Sequence, residues 1–121
     1  MVPYRICDTR STAISQLQDA CTGATLQGGS PLRLLVAGVG GIPSSATSVV
    51  LNVTITDTTA PGFLTVFPDL APLPLSSDLN WSAGETVAVG VTATLGSDGA
   101  LDFYIPQGSA DLVVDVVGWW Q

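Results

Sequence analysis

The sequence predicts an all-β fold, an antiparallel β-sandwich for which a jelly roll is one arrangement, with a three-stranded meander at its C-terminal end. Three observations lead there. β-Branched residues alternate with polar ones in five segments, Gly, Pro or Asp bounds each segment, and helical spacing is confined to Ser11 to Ala20. At 121 residues the chain forms one domain, 1–121, with room for a single two-layer core.

Tyr4 to Cys7 and Leu32 to Val36 are short strand candidates. Gly38-Val-Gly-Gly-Ile-Pro43 has the glycines of a phosphate loop, but it leads into a strand rather than a helix and no lysine follows, so it is a turn. In Val49 to Thr56, the apolar set Val49, Leu51, Val53 and Ile55 makes one wall of the core. Asn52, Thr54 and Thr56 then form an uncharged outer stripe. Asp57 to Gly62 turns the chain into Phe63 to Phe67, which is expected in the same sheet. Pro68 to Ser77 is too proline-rich for a central strand and reads as a connection over one end, before a short strand at Leu79 to Trp81.

Thr86 to Leu95, Leu101 to Ile105 and Ala110 to Val117 make the expected meander. Leu95 and Leu101 would pair across Ser97-Asp98-Gly99, with Gly99 left-handed, and Phe103 and Leu112 across Pro106 to Ser109. The inner face reads Val87, Val89, Val91, Ala93, Leu95, then Leu101, Phe103, Ile105, then Ala110, Leu112, Val114, Val116. So apolar a face must be buried against a second sheet.

Charged residues are 11% of the chain, against about a quarter in most soluble domains. Ser, Thr, Asn, Gln and Gly must therefore keep it in solution. Mean hydropathy is +0.47, high for so short a chain, and some apolar surface is expected to be covered by a second copy or an adjoining module. The net charge of −7 sets ten acids against Arg5, Arg10 and Arg33. Nucleic acid and anionic membrane surfaces need clustered cations, so neither is an expected partner. Without lysine there is no Schiff base, and without histidine the usual base of a nucleophilic triad and the commonest zinc ligand are missing. No apolar run reaches membrane-spanning length, and Met1 to Arg5 lacks the apolar core of a leader, as expected of a mature segment.

Cys7 and Cys21 read as a disulfide, which places the chain outside the reducing cytosol; two buried thiols are the alternative. In the expected register Asp111 and Asp115 share a face, with Asp102 on the adjoining strand, a set that can ligate Ca²⁺ or serve as a glycosidase pair. Solvation, or pairing with Arg5 or Arg10, is preferred, since both arginines need partners. A chain this small has little room for a glycosidase cleft, and an enzyme is disfavoured. Trp119, Trp120 and Tyr104 can stack on sugar rings. The preferred reading puts Trp81 and one of the adjacent pair in the core, with the other against a neighbour. Asn52 and Asn80 head N-x-[ST] sequons of the kind that arise by chance in Thr-rich strands.

Six motifs in order, Tyr4 to Arg10, Pro31 to Pro43, Ala46 to Thr54, Ala60 to Pro68, Leu79 to Val87 and Asp111 to Trp119, resemble a recurring β-rich module of secreted and cell-surface proteins of high-GC Gram-positive bacteria. That module often occurs in tandem or appended to cell-wall hydrolases. Its first motif ordinarily has leucine where Cys7 stands, a departure that supports a local disulfide in this copy. The resemblance implies an extracellular, non-catalytic module in which Asp8, Arg10 and Asp115 form a polar link between the first and last strands. The expected function is structural, through association with copies of itself or adjoining modules. The alternative is a polysaccharide-binding module using Trp120 or Tyr104, with Ca²⁺ near Asp111 and Asp115.

Overall fold

A computed structural model describes residues 2–10 and 21–121, so the helical spacing at Ser11 to Ala20 lies outside the described residues. The strands are β1 (Tyr4–Asp8), β2 (Leu26–Gln27), β3 (Leu32–Leu35), β4 (Ser48–Thr56), β5 (Gly62–Pro68), β6 (Leu79–Trp81), β7 (Val87–Thr94), β8 (Ala100–Tyr104) and β9 (Ser109–Trp120). They form two antiparallel sheets. The first runs β1-β9-β4-β7, with β2 also on β9; the second runs β3-β8-β5-β6. From β3 onward every connection except β5 to β6 crosses between sheets, the connectivity of a jelly roll.

The alternation read from the sequence sets which residues face inward. Val49, Leu51, Val53 and Ile55 of β4 are buried, as are Leu112, Val114 and Val116 of β9 beside them. Opposite, Leu34, Leu64, Leu101, Phe103 and Ile105 close the same core. Burial of this kind contributes about 25 cal/mol per Å² of apolar surface, which makes the two inner faces the main source of stability. Cys7 and Cys21 form a disulfide, both buried, tying β1 to the segment before β2.

Sheet membership differs from the expected meander. β7 and β9 belong to the first sheet and β8 to the second, so Leu95 and Leu101 enter the same core from different sheets instead of pairing as neighbours in one. Gly99 does take a left-handed conformation, at φ 77°, but its loop carries the chain over the end of the sandwich. Asp57 to Gly62 likewise crosses between sheets, separating β4 from β5. The physical reason is common to both: two sheets that share one core show the same in-and-out pattern, and a short loop spans the roughly 10 Å between them as readily as it closes a hairpin.

The connection after β5 also differs in place. Thr65 Oγ1 donates to the Ser76 carbonyl (2.7 Å) and Val66 N–H to Asp78 (2.8 Å), so this proline-rich segment lies against the outer face of the second sheet. Thr65 and Phe67 on that face are buried.

Candidate functional site

Six polar or apolar features mark the surface, and strand register positions most of them. On the outer face of β1, Arg10 grips the buried Asp8 carboxylate through Nε (2.9 Å) and Nη2 (2.8 Å), while its own N–H donates to the same group (3.1 Å). These bonds hold the Asp8 carboxyl below the usual carboxylate range. Arg5 stands directly opposite Asp115 of β9, just ahead of a bulge that takes in Ile6, and its Nε meets Asp115 Oδ1 at 3.0 Å. The link between first and last strands therefore exists, but Arg5 makes it; Arg10 stays with Asp8.

Asp111 has a different role. It accepts from Thr9 Oγ1 (2.8 Å) and Thr25 Oγ1 (3.1 Å), and Thr9 Oγ1 in turn accepts from Leu112 N–H (2.8 Å). The neighbouring Asp111 carboxyl raises the Asp57 carboxyl above its ordinary value.

Asp102 is not beside Asp111 and Asp115 as the meander required. It lies on β8 in the second sheet, opposite Arg33, whose guanidinium reaches past it to Asp69 (2.8 Å) and Asp98 (3.3 Å). Burial first, then the hydrogen bond with Asp69, pushes the Asp102 carboxyl up to about 6. The expected set of three is thus split between opposite sheets. Among the described residues no group of three or more acids or thiols is arranged to hold a metal ion. Sequence reasoning missed the cluster of Arg33, Asp69, Asp98 and Asp102, whose members come from two strands and two loops with no shared period.

The aromatic residues are divided as well. Trp81 is buried in the core, its Nε1 donating to the Ala60 carbonyl (3.0 Å). Trp119 and Trp120 are both exposed, at 37% and 53%, so neither of the pair completes the core as expected. A register shift between Val50 and Leu51 sets Trp119 opposite Val49 and Trp120 opposite Ser48 at the end of β9. Tyr104 is on β8, in the other sheet, opposite Thr65. It cannot join a stacking platform with the tryptophans.

Beside the end of β9 is a cleft of about 620 Å³, with walls that include Ser44, Ser45, Thr47, Thr94 and Ser97. Thr47 N–H donates to the Trp120 carbonyl (2.8 Å), and Gln121 Nε2 to Ser45 Oγ (2.6 Å). The cleft offers hydroxyls and one carboxylate, Asp98, a set suited to hydrogen bonding with a polar ligand. Finally, the outer face over β4 and β7 presents Asn52, Ala88, Gly90, Thr92 and Thr94, all exposed and none ionisable.

Among the described residues no helix is long and apolar enough to cross a membrane. No family model matches the chain, and no curated protein matches it. Among solved structures the chain is similar to a Tobacco streak virus coat protein dimer, at a TM-score of 0.42 and 11% identity over 80% of each chain. So distant a likeness assigns this chain neither a function nor a partner.

Proposed function

We propose that the chain is a non-catalytic structural or interaction module of a secreted or cell-surface protein, one that associates with copies of itself or with adjoining modules. The observation that carries this reading is the uncharged outer face over β4 and β7. In a chain of net charge −7 the two-strand stripe of β4 and β7 carries no ionisable group, and Asn52, Ala88, Gly90 and Thr92 allow close approach there, with the Arg5–Asp115 pair at β9 bounding the stripe on one side. The exposed Val117, Trp119 and Trp120 add apolar area on the same sheet. The Cys7–Cys21 disulfide supports an oxidising compartment, and the six ordered motifs support kinship with the bacterial cell-surface module. Sedimentation velocity over a range of concentrations tests the reading. The expected result is an apparent mass that rises above 12.4 kDa with concentration; a constant monomer mass throughout would end the self-association reading and leave only association with adjoining modules.

A second reading, polysaccharide binding, is favoured by the exposed Trp119 and Trp120 beside the hydroxyl-lined cleft. It does not need Ca²⁺, since Asp115 is taken by Arg5 and Asp111 by two threonines. Affinity electrophoresis in gels containing cell-wall polysaccharide should retard the protein and lose that retardation in Trp120→Ala. Equal mobility with and without polysaccharide would remove this reading.

A further inference from the structure

A β-sandwich of two open sheets has edges where backbone N–H and C=O groups lack partners, and natural proteins block such edges with proline, charge, bulges or brevity. Three of the edges here are blocked. β1 follows Pro3, carries Arg5 and Asp8 and is broken by a bulge. β3 follows Pro31, spans four residues and carries Arg33; β6 spans three residues.

β7 has none of these devices. It runs for eight residues with no proline, its register with β4 is unbroken, and no ionisable residue occurs from Thr86 to Ser97. Which groups face the edge follows from one hydrogen bond. Leu95 N–H donates to the Thr47 carbonyl at 2.9 Å, on the β4 side. Because the direction alternates along an antiparallel ladder, Val87, Val89, Val91 and Ala93 also turn to β4. Ala88, Gly90, Thr92 and Thr94 therefore point their N–H and C=O groups outward, and among the described residues no strand pairs with them.

We infer that this edge pairs antiparallel with β7 of a second copy about a two-fold axis at Val91, joining two first sheets into one continuous sheet. The inference rests on the self-association reading and names its surface. The strand is complementary to itself. Ala88 meets the second copy's Thr94, Gly90 meets its Thr92, and each of the four such pairs exchanges two hydrogen bonds. On the inner side Val89 meets the second copy's Ala93 and Val87 its Leu95, which covers two valines left half-buried in the single chain. No charge of either copy lies in the paired segment, so the net −7 of each chain raises no local barrier. A partner of other composition would find no charge to read there; a second copy needs none.

The test uses the full chain, with amide hydrogen exchange and sedimentation followed at low and high concentration, alongside Thr92→Pro. Proline at 92 removes an outward N–H and no bond to β4, so the monomer keeps its sheet. The expected result is that the amides of Ala88, Gly90, Thr92 and Thr94 slow by about tenfold or more as dimer forms, while Thr92→Pro stays monomeric. If the chain dimerises but those amides are unaffected and Thr92→Pro still dimerises, the edge inference falls and self-association stands. If the chain is monomeric at every concentration, both fall. Should Thr92→Pro fail to fold, the exchange rates of the unaltered protein decide alone.

Discussion

Two carboxylates show how differently one residue type behaves under different neighbours. Asp8 is buried yet ionised, because Arg10 supplies a two-pronged bond and its own N–H a third. Asp102 is nearly as buried, but its cross-strand arginine bonds elsewhere and its carboxyl neighbour is another acid. Its folded pKa, about 6 against an ordinary 3.8, means that the folded chain binds the proton more tightly than the unfolded chain. The stability this confers is complete below the ordinary value and is lost as pH rises through about 6. Asp102→Asn should therefore be more stable than the parent at pH 7, by on the order of 1 kcal/mol once screening by nearby water is allowed for. The advantage should shrink toward pH 4, and urea midpoints at several pH values measure it. A variant less stable than its parent at pH 7 would show that Asp102 ionises without cost. None of this was legible in the sequence, where Asp69, Asp98 and Asp102 are three acids in unrelated contexts. The link to Asp115 was partly legible, since the arginines had to pair and Arg5 was one of the two partners expected for it; that Arg10 folds back on Asp8, two residues away, has no mark in the strand pattern.

Elements were legible where the period of two ran long enough. β4, β7 and β9 were visible, with their inward residues, because β-branched alternation is itself the mark of a pleated, half-buried surface. β2, two residues long, has no period to read. Partnership between strands was illegible for a physical reason: the alternation reports the direction of the core and says nothing of which side of the core a strand occupies. The disulfide acts at this scale, since it holds the edge strand β1 to the chain that leads into β2. Closing a loop of this length limits the unfolded chain and contributes about 3 kcal/mol. Urea unfolding with and without reductant should show the midpoint fall by a corresponding amount; coincident midpoints would mean that the bridge adds nothing.

At the scale of the whole molecule, composition was the better guide. Low charge and high hydropathy already predicted uncharged outer surface, and the exposed faces of β4 and β7 are where the chain carries it. What composition left open was the distinction between a face and an edge, which requires the sheet order. That order has a further consequence, in time instead of space. The inner strand of the first sheet, β9, is the last to be made, and it alone joins β1, β2 and β4. A growing chain that stops before Ala110 has the pieces of one sheet without its centre. Three of the first sheet's four strand pairs, those with β1, β2 and β4, must therefore wait for β9, and the pairing with β1 closes a loop across much of the sequence. The second sheet, whose strands are all made by Tyr104, can pair without β9, whereas the first sheet has no centre until β9 arrives to close the core from its side.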